Sequence, residues 1–213
     1  MTQTVDSGIP LISDYDRLLG SRLFTEMEQF SDTFLATNRS VLEGYGRRWT
    51  RDPLHQWSRQ WEYPYCYSKI SGHLTALGNA GGKAKAKILD AGSGATFFPH
   101  YIAALAPGSA VVCLDQDPTL PGIYARINAT SDARVRFELG DLHKLPFADA
   151  EFDIIYCISV LEHTDDYQKI IAEFRRVLKK DGILIVTFDI SIDGNADIPP
   201  DGAKKLMQAI QSR

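Results

Sequence analysis

Only three cysteines occur in the 213 residues, and two of them, Cys113 and Cys157, fall inside apolar runs without metal-ligand spacing. An odd number so placed argues against a disulfide framework and against a thiolate metal site, and reads as reduced thiols in a core. No apolar run approaches the roughly 20 residues that a membrane helix needs. The opening stretch, MTQTVDSGIPLISDYD, has no basic segment followed by an apolar one, as a secretory leader would. A cytoplasmic protein is expected. An excess of either charge is also absent, the net being −4, so nothing draws the chain as a whole to nucleic acid or to an anionic bilayer. A small-molecule partner is favoured. Repeats and low-complexity blocks are missing too, and the remaining composition, 44% hydrophobic and 23% charged, is that of one globular core with a helical extension.

What is present centres on KILDAGSGATFFPHY, residues 87–101. Ile88 and Leu89 read as a buried strand, Gly92-Ser93-Gly94 breaks the chain, and Pro99 opens an apolar-periodic helix. Glycine is required where a backbone turns beneath a ligand, and the following helix N-terminus favours an anion, a carboxylate or a phosphate. Further apolar runs end in the same style. The run 110–114 ends at Asp115, the run 135–139 at Gly140-Asp141-Leu142, and the run 152–159 at Val160-Leu161-Glu162-His163. Open parallel sheets need such endings, because their ligands lie over the carboxyl ends of the strands. A nicotinamide-type Gly-x-Gly-x-x-Gly would place its last glycine at position 97, which is phenylalanine.

The ordered series DAGSG, VVCLDQDP, GDLHKLPFADAEFDIIYCISVLEH and FRRVLKKDGILIVTF resembles the motif series of class I S-adenosylmethionine-dependent methyltransferases, nearest to the small-molecule enzymes of quinone biosynthesis. The likeness covers about residues 87–188. It departs from the family at Thr96, where a third glycine is usual. It implies an α/β, Rossmann-like doubly wound sheet, S-adenosyl-L-methionine as cofactor with S-adenosyl-L-homocysteine as product, and methyl transfer to a small-molecule acceptor. The same resemblance implies roles for residues. The backbone at Gly92, Ser93 and Gly94 approaches the methionine portion, with Asp90 supporting the turn through the α-amino group. Asp115 accepts from the ribose hydroxyls and Gln116 flanks the adenine. Asp141 accepts from the adenine amine beside Leu142, and Cys157, Ile158 and Ser159 lie under the sulfonium. His163 is the candidate general base, set against a structural role; His143 and His100 are weaker candidates. No metal is implied. The rival readings are a non-catalytic cofactor-binding or scaffold protein and, less favoured, a nicotinamide enzyme.

Around this core, residues 1–70 read as an N-terminal helical cap, 71–191 as the core and 192–213 as a C-terminal helix and tail. Residues 1–10 read as a disordered lead. Leu18, Leu19, Leu23, Met27, Phe30 and Phe34 are spaced for one or two amphipathic helices with Gly20 a break, and Gly44 and Gly46 end the region. The run RRWTRDPLHQWSRQWEYPYCY, residues 47–67, is dense in Trp, Tyr and Arg. It serves either as a pocket wall or as apolar glue through Trp49, Trp57 and Trp61. Its SRQWEYPY part resembles the segment that folds over the cofactor in some bacterial members, so part of 61–67 is expected near the site. Tyr67, Ile70, Leu74 and Leu77 form a helical stripe closed by Gly78, Gly81 and Gly82, and Lys83, Lys85 and Lys87 suggest a solvated edge. A helix over 164–182, closed by Lys179, Lys180 and Gly182, should lead to a fifth strand, 183–188. Pro199-Pro200 precede a last helix, 203–210. The two strands that normally complete a seven-stranded sheet are not seen, and the expectation is either a truncated product or a fifth strand that is an edge, covered by the N-terminal helices or paired in a homodimer.

Overall fold

A computed structural model describes residues 5–56, 58–79, 85–130, 135–191, 193 and 197–211. Its centre is a sheet of five parallel strands: β1 (Lys87–Ala91), β2 (Ala110–Asp115), β3 (Val135–Leu139), β4 (Phe152–Ile158) and β5 (Leu178–Thr187), in the order β3-β2-β1-β4-β5. Because side chains alternate along a strand, each apolar run feeds two cores. Ile88, Val111, Cys113, Ile154 and Tyr156 pack on one face with α2 (Arg22–Tyr45), α3 (Arg59–Asn79), α4 (Phe98–Leu105) and α5 (Leu120–Asn128). Leu89, Val112, Ile155 and Cys157 pack on the other with α6 (Tyr167–Val177) and α7 (Pro200–Gln211). The chain leaves β1 toward β2 and β3, then returns to lay β4 and β5 on the other side. The order therefore reverses between β1 and β4, where open α/β sheets bind ligands.

The N-terminal helices follow their sequence signals. Gly20 separates α1 (Ile12–Leu19) from α2, Ser21 caps α2 by accepting from Phe24 N–H at 3.2 Å, and Gly46, at φ +75°, ends it in the left-handed conformation. They share the apolar cluster of the sheet through Phe24, Met27, Phe34, Tyr63 and Ile70, and α3 runs straight through position 70.

Several expectations are corrected. The stretch 1–10 is not a loose lead where it is described: Val5 is buried, and the Ser7 hydroxyl lies 3.0 Å from the Tyr65 hydroxyl. Lys87 does not sit in a solvated loop. It opens β1, its ammonium pairs with Glu151, and its N–H donates to Asp153 Oδ2 at 2.8 Å. α6 stops at Val177 rather than running to Gly182, because Leu178 pairs with Phe152 and already belongs to β5. The register then shifts between Phe152 and Ile154, where the partner on β5 moves from Leu178 to Ile183. Gly182 is what lets β5 pass, since a Cβ there would lie 2.8 Å from the Asp153 carbonyl oxygen. Trp57, Gly81, Gly82 and Lys83 lie outside the described residues. Among those described, no strand pairs with the outer side of β5; α3 packs on β4 and β5, and α7 on α6.

Candidate active site

The carboxyl ends of β1, β2 and β4 open into one cavity of about 330 Å³, within the size range of small-ligand sites. Gly92, at φ +80°, and Gly94, at φ +52°, make the turn after β1 in conformations that L side chains resist. The turn is also crowded. A Cβ on Gly92 would lie 2.6 Å from Val160 Cγ2, and one on Gly94 only 2.3 Å from Trp49 Cη2. Its N–H groups are tied down: those of Gly92 and Ser93 donate to the Leu114 carbonyl at 2.8 and 3.0 Å, and that of Gly94 donates to Asp115 Oδ2 at 2.9 Å. Asp115 Oδ1 accepts from Asp117 N–H at 3.0 Å, so this carboxylate bridges the β1 and β2 turns.

Asp90 lines the same cavity and is almost wholly buried. Desolvation pushes its carboxyl up to about 8, the neighbouring Tyr156 hydroxyl pulls it down, and the Asp115 charge pushes it further up. At β4 the chain turns through Ser159, a non-glycine residue at φ +44°, and its N–H donates to the Thr187 carbonyl at 3.0 Å. Backbone strain of this sort concentrates where a site fixes its geometry. Ser159 Oγ donates to Glu62 of α3, with Oε1 at 2.8 Å and Oε2 at 2.9 Å. Glu62 also pairs with Arg59, whose guanidinium lines the cavity. Nearby Glu162 is half-buried, and desolvation pushes its carboxyl up to about 7. Its Oε1 accepts from Asp189 N–H at 3.4 Å, while Oε2 is buried without a partner.

The cavity thus gathers Asp90, Gly92, Ser93, Gly94, Asp115, Ile158, Ser159 and His163. Four other candidates do not line it. Gln116 is exposed, Leu142 is buried in the core beneath β2, and Cys157 is buried in β4 with its thiol pushed well up by desolvation. Asp141 holds His143 instead, accepting from its backbone N–H and lying 2.8 Å from its Nδ1. The loop nonetheless borders the site, since Gly140 N–H donates to the Asp115 carbonyl at 3.0 Å. The remaining histidines differ sharply. His163 is exposed at the rim, in the short turn Leu161–His163. His100 is buried between Phe34 and Tyr124, and desolvation lowers it to about 4, which makes it a neutral core residue.

Sequence reasoning left Trp49, Arg59, Glu62 and Tyr63 without roles. All four are brought in by the N-terminal helices, and Trp49, Arg59 and Tyr63 line the cavity directly. The end of α2 is fastened across β2 by Tyr45 Oη, which donates to Asp117 Oδ2 at 3.1 Å. Their sequence signals were the density of aromatic and basic residues in 47–67 and the likeness of SRQWEYPY to a segment that folds over the cofactor, which placed part of 61–67 near the site without assigning roles; Tyr63 does line the cavity.

A parallel sheet whose order reverses at β1, with a glycine turn and acidic residues at that reversal, is the arrangement over which open α/β proteins bind nucleotide-like cofactors. Comparison with known proteins narrows this. Residues 89–186 match the methyltransferase domain family Methyltransf_11. A malonyl-[acyl-carrier protein] O-methyltransferase of Laribacter hongkongensis is 32% identical over 136 residues, 59% of this chain and 42% of the relative. A demethylmenaquinone methyltransferase of Thermus thermophilus is 34% identical over 104 residues, 49% of this chain and 47% of the relative. The chain spans less than half the length of either. The solved structure of the [4+2]-cyclase SpnF is similar with a TM-score of 0.52 and 21% identity over 67% of this chain and 55% of that one, a likeness of fold alone. Through its sheet domain, residues 89–186, the chain is similar to class I S-adenosylmethionine-dependent methyltransferases.

Proposed function

We propose that the chain transfers a methyl group from S-adenosylmethionine to a small-molecule acceptor in the cytoplasm. The observation that carries this reading is the cavity at the strand-order reversal, floored by a turn whose two glycines leave no room for side chains. The residues fit the cofactor. Asp115 offers a carboxylate to a ribose diol, Asp90 offers one to an ammonium, and the Gly92–Gly94 backbone admits close approach. Gln116 and Asp141 belong to the adjoining rim, where an adenine would lie, with Leu142 buried behind them, and Cys157, Ile158 and Ser159, at and just past the end of β4, would face the sulfonium. When bound, the sulfonium supplies an electrophilic methyl for in-line displacement. The protein's part is to bind, orient and exclude water, which accounts for a site with no nucleophile triad. His163, at the rim, is the candidate to take a proton from a hydroxyl or amine acceptor, set against a structural role.

A second reading, a cofactor-binding protein of other or no transfer chemistry, draws support from the cyclase that shares the fold. Calorimetric titration with S-adenosylhomocysteine and with NAD tests the binding, with the former expected to bind and the latter not. Formation of S-adenosylhomocysteine from S-adenosylmethionine across a panel of hydroxyl, amine and carbon acceptors then tests transfer. Binding without turnover on any of them would favour the second reading, and absence of binding would sink both.

A further inference from the structure

A second cavity, of about 660 Å³, shares a wall with the first. The short helical turn Arg48–Arg51 supplies that wall: Trp49 lines the active cavity, whereas Thr50 and Arg51 line the second. The rest comes from α2. Leu42 is buried and Leu35 half-buried, which gives an apolar floor, while Asp32, Arg39, Glu43 and Arg51 stand exposed at the rim. Among the described residues neither Arg39 nor Arg51 pairs with a carboxylate, although Glu43 follows Arg39 by one helical turn. Exposed arginines elsewhere are used: Arg22 pairs with Glu26 and Arg176 with Asp149. The surroundings add positive charge. Residues 39–51 hold four arginines and one acidic residue, in a chain whose net charge is −4. Arg126 of α5 also comes close, its Nη1 lying 3.9 Å from where a Cβ on Gly44 would be.

We propose that this second cavity binds an amphiphilic carboxylate, with Arg39 and Arg51 on the anionic group and the hydrocarbon body on Leu35 and Leu42. Two guanidiniums on separate elements, facing one cavity with their donors unused, match a planar anionic acceptor. The apolar floor beside them rewards a ligand that also removes hydrocarbon from water. Asp32 and Glu43 on the same rim limit the charge of that ligand, because they would repel the further charges of a phosphate dianion or a polyanion. The site stands whether or not the active cavity holds S-adenosylmethionine.

The test is calorimetric titration of the whole chain with octanoate, with 1-octanol and with inorganic phosphate, which separate the amphiphile from its tail alone and from a bare anion. Octanoate should bind at least about tenfold more tightly than either, since charged hydrogen bonds and hydrocarbon burial each contribute on that scale. Arg39→Gln and Arg51→Gln should each weaken octanoate by about tenfold or more and leave 1-octanol unchanged. Arg22→Gln, at the far end of α2, should change neither. Both arginines of the cavity are exposed, so their variants should melt as the wild-type protein does. Octanoate binding no tighter than 1-octanol would overturn the inference. So would phosphate binding as tightly as octanoate, which would make the place a bare anion site, or octanoate affinity kept in both arginine variants.

Discussion

Asp90 is the side chain whose chemistry depends most on what surrounds it. Its carboxyl keeps its proton to about pH 8 in the folded protein, whereas an unfolded chain ionises it near 4. The folded state therefore binds the extra proton, and stability falls as pH rises from about 4 to about 8. Asp90→Asn lacks this penalty, so thermal melts of variant and wild type should diverge across that window, with the variant gaining as pH rises; parallel curves would remove the effect. An ammonium seated beside Asp90 would favour its charged form, so S-adenosylmethionine should release protons on binding near pH 7. Titrations in buffers of different ionisation enthalpy measure that number. Asp115 has the opposite character, a carboxylate in use before any ligand arrives. Hydrogen bonds to a charged acceptor contribute about 1.5–3 kcal/mol each, so Asp115→Ala should weaken S-adenosylhomocysteine binding at least tenfold. It should also lower the melting temperature, because Gly94 and Asp117 lose their acceptor. Unchanged affinity in calorimetry would place the ribose elsewhere.

Among the elements, β1 with its turn and the ends of β2 and β4 were legible because their signals are local: apolar runs of strand length, glycines, and an acid at a set distance. α3 was legible as a helix whose first turns lie near the site, but the roles of its side chains there were not. Its Glu62 meets Ser159 across 97 positions of sequence, and only packing of the whole sheet brings them together. The boundary between α6 and β5 was misread because Leu178 continues the apolar stripe of the helix while its backbone already pairs with Phe152. Gly182 then has a role in the strand. A methyl group there would meet the Asp153 carbonyl and Leu178, so Gly182→Ala should cost about 1–3 kcal/mol in denaturant unfolding, the usual range for overpacking. The segment that carries Pro53 and Gln56 to the cavity is clasped to α2 by His55, whose Nδ1 lies 2.8 Å from Asp52 Oδ1 and Nε2 3.0 Å from Glu28 Oε1. Burial lowers the imidazole's affinity for a proton, but the two carboxylates outweigh it and the net shift is upward. The clasp is complete below the ordinary histidine value of about 6.5 and is lost as pH rises through the higher folded value. Hydrogen exchange in residues 52–56, corrected for intrinsic rate, should accelerate over that rise, and His55→Ala should abolish the step.

At the scale of the molecule, helices from the first third of the chain and strands from the middle line one cavity, so a ligand filling it would touch both parts. β5 remains the sheet's outer strand among the described residues, and its free backbone groups favour pairing with a second copy. Sedimentation should therefore show a mean mass that rises with concentration; a constant monomer mass would mean that the edge is protected. The closure of the site has one more effect. Because the Trp49 ring rests on Gly94 and meets the Tyr45 ring edge-on at 6.4 Å, an indole stands at the turn where a ligand must pass. Any molecule entering the cavity changes the polarity around that chromophore, so the protein carries its own optical gauge of occupancy. Its emission should shift on titration with S-adenosylhomocysteine, and Trp49→Phe should go dark to the same event.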